Sequence, residues 1–496
     1  MGFKQDNLRK PDFKQVSDVV WEVPTSFKQG MRVPVRIYAM KKLLDEMDLE
    51  VFDQASNAAM MPGIQKYSFV FSDGHSGYGV PVGWCGAFDL KEGVISPGAI
   101  GFDQNCGMRL IKTNLTLEQV KPKIKELTDL LFKMVPAGVG ATAYQEPKEI
   151  ANIPESKFKE IVETGVKWAV ENGYGWEQDL ERLEERGGVN YADFSKVSRE
   201  AYKRGKSQIG TLGSGNHYLE IQVIDKVFDQ EIANKWGLAA EKDQICIMVH
   251  CGSRGFGHQI CTDYLSIFVN AMKKYKINVP DQQLACAPFD SQEGQDFLGA
   301  MGCGINFAFV NRQLITYQIR RAFEMTFNKS AEELEMEIIY DVAHNTAKLE
   351  EHIWNGGKKK FIVHRKGATR SFGPGNSELS DVYKKTGQPV IVGGSMETGS
   401  FLCVGTRKAE EETFGTTLHG SGRTMSRTKA KHMFRGDVLQ KKMLEKGIYV
   451  KATTMSGLAE EAGAAYKDIN EVVESMHKAG ISLKVLRLRP IANIKG

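Results

Sequence analysis

Long hydrophobic runs are missing from this chain. None of its apolar stretches approaches the ~20 residues that a membrane-spanning helix needs. The polar opening MGFKQDNLRK lacks the apolar core of a signal peptide, and Asp6 stands where N-myristoylation requires Ser or Thr. Disulfide and zinc-ribbon spacings are absent too. Cys85, Cys106, Cys246, Cys251, Cys261, Cys286, Cys303 and Cys403 lie far apart with no Cys-x-x-Cys pair, and a chain of this length needs no covalent staples. A reducing compartment, the cytoplasm, is the expected location. Charge of one sign is scarce: 65 Lys and Arg against 61 Asp and Glu leave a net +4, too little to demand a nucleic-acid partner by itself. Repeats, low-complexity tracts and linkers are also missing, and even the polar stretch 151–205 carries Trp168, Tyr174 and Trp176. With 42% hydrophobic and 25% charged residues, the chain is expected to be one large α+β catalytic domain over residues 1–496. Mixed β-sheets and surrounding helices would build it, with residues 1–17 as a peripheral N-terminal segment.

What the chain does have is a set of short, glycine-flanked strings that end in chemistry. Ile245 to Val249, Ile338 to Val342, Phe361 to Val363 and Val390 to Val392 are β-branched runs that stop at Gly, His or Asn, as buried strands feeding reactive loops would. Helical spacing joins Leu265, Phe268, Val269 and Met272, and also Ile124, Leu127, Leu131 and Met134, with Pro122 marking a first turn.

Asp103-Gln-Asn-Cys106 can bring a carboxylate and a thiol to one ion if the backbone turns sharply at Gly101 and Gly107. A lone Asp-x-x-Cys is more often a buried thiol near a cap. His217, His250 and His344 change that reading, because each lies at an expected strand or loop end and neutral imidazole is a common transition-metal ligand. Phosphate-competent turns accompany them: Gly213-Ser-Gly-Asn-His217, His250-Cys-Gly-Ser-Arg-Gly255, Gly393-Gly-Ser-Met396 and His419-Gly-Ser-Gly-Arg423. None matches the P-loop or the dinucleotide fingerprint. Their backbone N–H groups and Ser, Asn and Arg donors nevertheless suit phosphate oxygens.

The strings FSDGHSGYG (71–79), ISPGAIGFDQNCGMRL (95–110), LGSGNHYLEIQ (212–222), VHCGSRGFGHQ (249–259), YDVAHN (340–345), VHRKGATR (363–370), TFGTTLHGSGR (413–423) and RPIANIKG (489–496) closely resemble the RtcB family. These are GTP- and manganese-dependent RNA ligases that act on 3′-phosphate ends, and the likeness runs in order from about residue 18 to the last residue. The resemblance implies the RtcB-like fold. It also implies two Mn2+ ions per site held by Asp103, Cys106, His217, His250 and His344, with the Cys106 thiolate shared, and His419 as the guanylylated residue. The implied GTP pocket comprises Asn216, His217, Tyr218, Leu219, Glu220, His344, Asn345, Gly393, Gly394, Ser395, Met396, Ser400, His419, Gly420, Ser421, Gly422, Arg423, Tyr466 and Lys495. The implied activity joins RNA 3′-phosphate or 2′,3′-cyclic phosphate ends to 5′-hydroxyl ends in tRNA splicing or RNA repair. Its partners would be RNA and, as a candidate, an archease-like activating protein, with no membrane and a monomeric core.

Ligand softness alone points to zinc for a thiolate with imidazoles, whereas the resemblance points to manganese. Four positions depart from the family pattern: Glu397, Gln104, Leu418 and Ser421. Glu397 is the conspicuous one, since a carboxylate beside a triphosphate pocket repels it unless it turns away or meets a cation. Between His419 and Lys451, nine basic residues (Arg423, Arg427, Lys429, Lys431, Arg435, Lys441, Lys442, Lys446 and Lys451) face only Asp437 and Glu445, an expected phosphate track. With no RNP-type aromatic motif, end chemistry and backbone contacts are expected in place of base-sequence reading. A metallo-phosphoesterase and a nucleotide-binding regulator are the competing readings, and His419 separates both from a ligase.

Overall fold

The computed structural model describes residues 8–138, 153–239 and 243–496. Two large sheets organise them. One has seven strands in the order Lys14–Ser17, Val20–Val23, Val35–Tyr38, Ile64–His75, Val82–Asp89, Gly357–Lys366 and Asn345–Trp354. The other runs Ile338–Ala343, Gly107–Thr116, Gln244–Cys251, Tyr218–Val227, Ser482–Lys495, Ser400–Gly405 and Pro389–Val392, with Tyr449–Ala452 added in parallel beside Ser482–Lys495. Most pairings are antiparallel, as expected of an α+β fold. Of the expected peripheral segment, residues 1–7 lie outside the described ones, and Lys14–Ser17 is an exposed edge strand.

The second sheet is covered on both faces. Leu219, Ile221, Ile247 and Val249 pack into the main core, while the alternating Leu110, Tyr218, Cys246 and Met248 pack into a separate cluster with Tyr340 and Leu486. All eight residues of Gln244–Cys251 are buried, which explains a continuous apolar run without polar alternation. Against the first of these cores lies the 36-residue helix Gln292–Phe327. Ser291 starts it, its Oγ accepting from Gly294 N at 3.1 Å. Phe297, Ile305, Phe309, Leu314 and Ile319 are all fully buried along its length. Sequence reading did not single this helix out, because a helix buried nearly all round has no polar stripe to give it a period.

The expected strands all occur, and so do both helices, as Arg254–Lys274 and Ile124–Met134, with Pro122 in a 3-10 turn just before the latter. Residues 151 and 152 of the polar stretch lie outside the described residues; beyond them Trp168 and Tyr174 are buried. Among the described residues no helix is long and apolar enough to cross a membrane.

Candidate functional site

Strand register gathers the candidate ligands. His250 pairs with Met108 on one side and Tyr218 on the other, and Gly107 pairs with Ala343. Cys106, His217 and His344, each one residue outside a strand end, therefore meet His250 at one edge of the sheet. His344 occupies the step between Ile338–Ala343 of one sheet and Asn345–Trp354 of the other. The Asp103 to Cys106 turn is made by Gly101, at φ +87°, and by Asn105, at φ 53°. Gly107 serves differently from the expectation: its φ is not positive, and a Cβ there would lie 2.5 Å from Val342 O. Gly252 leaves room for the Asp103 carboxylate, which a Cβ would meet at 2.4 Å.

Cys106 Sγ lies 3.4 Å from His217 Nε2 and 3.3 Å from His250 Nε2. His217 Nε2 is 2.8 Å from Asp103 Oδ2, and His250 Nε2 is 3.2 Å from His344 Nε2. Two three-donor sets result, Asp103–Cys106–His217 and Cys106–His250–His344, and they share Sγ. Donors held ~2.0–2.3 Å from one ion sit about 3–4 Å apart, so both sets have the spacing of a metal site. Burial pushes His250 and His344 well below the usual imidazole range and keeps them neutral, as ligands must be. Burial, then Asp103, pushes the Cys106 thiol up to about 12; a cation at Sγ is what would hold it as thiolate.

Hydrogen bonds behind the ligands fix their aim. His217 Nδ1 donates to Leu212 O at 2.9 Å, which turns Nε2 toward Asp103 and Cys106 as the nitrogen available to a metal. Asp103 Oδ1 accepts from Ser253 N at 2.8 Å and Ser253 Oγ at 3.0 Å. From the long helix, Arg312 Nη1 donates to Asn105 O and Cys251 O, both at 2.8 Å, while its Nε and Nη2 hold Asp341. Asn311 Nδ2 reaches Thr211 O and Gly252 O at 3.1 Å. Four ligand-bearing segments are thus tied to one helical turn.

Gln104, inside the ligand turn, is fully buried, and neither side-chain amide atom has a hydrogen-bond partner within the chain. It is wedged against Gly257 and Gly304 of two helices. Gln104→Leu is expected to stabilise the fold by about 1–2 kcal/mol, because an apolar side chain of similar size removes an unpaired buried amide. A urea midpoint below that of the unsubstituted protein would count against this.

The ligand cluster opens into a cavity of about 290 Å3. Of the residues the resemblance assigns to a nucleotide, Asn216, Tyr218, Glu220, His344, Asn345, Tyr466, Lys495 and residues 393–396 and 419–423 line it. Three do not. Leu219 packs into the core, His217 turns to Asp103 and Cys106, and Ser400 Oγ sits behind the wall, accepting from Gln222 Nε2 at 3.2 Å.

His419 follows the strand Thr416–Leu418, and its ring centroid is 4.7 Å from that of His344. Its Nδ1 lies 2.6 Å from Asp73 Oδ2, which also accepts from His419 N at 3.1 Å. Nε2 is left as the free ring nitrogen. Lys467 Nζ braces this acid by donating to Ser72 O at 3.1 Å and Gly74 O at 2.5 Å. Asp73 was not singled out in the sequence, although it lies inside the FSDGHSGYG string.

Glu461 was missed as well. This buried acid pairs with Lys495 at 3.1 Å and Arg423 at 3.3 Å and accepts from Tyr466 Oη. Burial opposes its ionisation, but Lys495, Tyr466 and Arg423 hold it below the usual carboxyl range. Lys366, a further lining residue, is pulled down to about 7 by burial.

At Glu220, burial raises the carboxyl to about 7 against Gln222, Lys495 and Asn493, which favour the ionised form. Glu397 faces away from this cavity: it accepts from Gly463 N at 3.0 Å and pairs with Lys446 at 3.1 Å and Lys442 at 3.6 Å. The repulsion feared from its position is thereby removed. Lysine 495 is no frayed end either. Tyr218 and Ala452 flank it in register, and Ile491 and Ile494 are buried.

Two buried sets of metal-competent donors beside a glycine-walled, histidine-bearing cavity make this a candidate metal centre within an α+β fold. The chain belongs to the RtcB family: the family profile described as tRNA-splicing ligase RtcB matches residues 54–496. It is similar to the tRNA-splicing ligase RtcB of Archaeoglobus fulgidus, 51% identical over 97% of this chain and 98% of that one. The protein of the same name from Methanococcus maripaludis is 50% identical over 98% and 100%. The RNA-splicing ligase RtcB homolog 1 of Entamoeba dispar is 45% identical over 96% and 89%.

Proposed function

We propose that this protein is an RNA ligase of tRNA splicing or RNA repair that joins 3′-phosphate or 2′,3′-cyclic phosphate ends to 5′-hydroxyl ends at the expense of GTP. The observation that carries this reading is the placement of His419, braced by Asp73, against a donor cluster whose two sets share Cys106. Two manganese ions fit the sets, Asp103 supplying the hard oxygen donor; when bound they supply positive charge for the phosphate oxygens during substitution. His419 Nε2 attacks the α-phosphorus of GTP, forming an N–P bond as pyrophosphate leaves. Asp73 Oδ2 holds the ring through Nδ1 and stabilises the positive charge that develops on it. An oxygen of the RNA 3′-phosphate then displaces His419, taking the guanylate. The 5′-hydroxyl attacks that activated phosphate, GMP leaves, and a phosphodiester is closed. A cyclic phosphate end is first opened by water.

Guanine is selected by Glu220 and Lys495. An ionised Glu220 accepts from N1–H and the amino group, which adenine does not offer in that pattern, and Lys495 Nζ donates to the base carbonyl. Because burial raises the Glu220 carboxyl to about 7, the folded protein carries a cost of ionisation that grows as pH rises from ~4.5 to ~7. Glu220→Gln is therefore expected to raise the melting temperature at pH 8 and to leave it unchanged near pH 4.5, while weakening GTP use. A variant less stable at pH 8 would contradict that sign. Lys495→Ala is expected to weaken GTP use by about 1–3 kcal/mol, the scale of a charge-assisted hydrogen bond, with the fold retained because Arg423 still pairs Glu461. Equal labelling rates at limiting GTP would return Lys495 to a purely structural role.

RNA oligonucleotides with a 3′-phosphate and a 5′-hydroxyl, incubated with the protein, manganese and GTP, test the whole reading. A joined product that requires GTP supports it. Hydrolysis of the 3′-phosphate without joining would favour a phosphoesterase. The cytoplasm as location and an archease-like activator as partner belong to the same proposal.

A further inference from the structure

A second cavity, of about 510 Å3, lies on the far side of the segments that wall the first. Ser395 and Met396 line the reaction cavity, whereas the next residues, Glu397 and Thr398, line this one. Likewise Glu461 and Tyr466 face the first, and Ala462, Gly463 and Ala464 face the second. The helices Arg427–Met433 and Gly436–Glu445 close it.

Its composition differs from that of an ordinary surface. Met433, Phe434, Val438 and Leu439 give it apolar walls, and Met433 and Val438 are each 57% exposed. Apolar side chains clustered in solvent mark a contact surface more often than a solitary exposed residue does. Arg435, Lys442 and Lys446 stand on the same cavity. Arg435 pairs with Asp437 where both side chains are exposed, a weak pair. Lys442 and Lys446 are exposed cations that share the single, largely covered carboxylate of Glu397, which also accepts from Gly463 N, so together they leave one positive charge for a phosphate. A thioether, an aromatic ring and a branched aliphatic side chain offer faces for a nucleobase, and the cations suit the backbone beside it. An acidic amphipathic peptide would match the same chemistry, but not the shared wall with a cavity where an RNA end is bound.

We infer that this groove is a ribonucleotide subsite. It takes an unstacked base against Met433, Phe434 and Val438 and a flanking phosphate against Lys442 and Lys446, a short way along the strand whose end lies beside His419. The inference rests on the ligase reading above. Either the 3′-phosphate strand or the 5′-hydroxyl strand supplies the nucleotide, through the same chemistry.

Single abasic residues placed in turn at the last four positions of the 3′-phosphate strand, and at the first four of the 5′-hydroxyl strand, test it on the unsubstituted protein. One position, on one strand, is expected to raise KM on the order of tenfold, the size of one lost base stack, with kcat held. Guanylate transfer to the 3′-phosphate strand alone tells which strand it is. Val438→Glu is expected to raise KM for intact RNA by a similar factor and to abolish the extra effect of the abasic residue, while labelling by GTP proceeds at the unsubstituted rate. Lys442→Ala with Lys446→Ala should flatten the salt dependence of KM. If no abasic position changes KM, or if Val438→Glu folds and binds RNA unaltered, the groove is not a nucleotide subsite and a protein partner becomes its better occupant. Failure of the unsubstituted protein to join RNA at all would instead remove the ligase reading, a distinguishable result.

Discussion

His419→Ala is expected to give no ligated RNA and no protein-bound guanylate while retaining both metal sites and the fold, a loss on the order of a thousandfold or more. Among the described residues, the side chain supplies the only nitrogen in the cavity that combines a carboxylate brace at 2.6 Å with a free second ring atom. His75, also on the cavity wall, has its Nδ1 on Asp73 O at 2.9 Å but is pulled down to about 4 by burial. His364, the nearest alternative by sequence, is fully buried; its Nε2 accepts from Ser96 N at 3.2 Å, and its ring lies against Phe88. It does not line the cavity. Asp73→Asn separates bracing from bonding: an amide can still accept from Nδ1–H but cannot stabilise the developing charge. A loss on the order of a hundredfold or more is expected, with the label still on His419. Ligation by His419→Ala at a rate close to that of the unsubstituted protein would refute the assignment.

Cys106→Ser is expected to lower occupancy of both metal sites together, because Sγ is the one donor common to the two sets. Asp103→Ala should weaken mainly the set that holds His217, leaving Cys106, His250 and His344 to keep one ion. The expected loss for the cysteine variant is large. A hydroxyl is a poor substitute for thiolate charge, and two dications beside neutral imidazoles then lack the anion between them. Metal analysis after gel filtration in manganese distinguishes the variants. One ion bound at normal affinity in Cys106→Ser would show that the thiolate does not bridge.

Much of the site was legible in the sequence because the chemistry sits at the ends of short β-branched strands punctuated by glycine. His250 and His344 lie at the ends of two runs read as strands, whereas Cys106 and His217 precede strands that were not marked in the sequence, and the assignment of the full set as ligands came from the family resemblance. What the sequence could not display was pairing over distance. Asp73 and His419 are 346 residues apart, and an acid in a glycine-rich string carries no mark of its partner. Glu461, Asn311 and Arg312 were missed for the same reason. The last two sit on a helix whose burial on every side erased the period by which it would be recognised.

The basic run after His419 shows distant pairing of another kind. Seven of its nine cations find carboxylates, among them Glu460, Glu461, Glu397 and Asp129 from other segments. The run therefore carries less unpaired charge than a local count suggests. Glu397 is the converse case, a carboxylate that looked hostile to the nucleotide until lysines from a neighbouring helix met it.

Locating the guanylate is the measurement that bears most directly on the proposed chemistry. The protein is incubated with GTP labelled at the α-phosphate and with manganese, then digested, and the labelled peptide is sequenced by fragmentation in the mass spectrometer. The predicted result is guanylate on His419, lost in acid and kept in base as a phosphoramidate should be. Guanylate on any other residue, or none while two ions are bound, would contradict it.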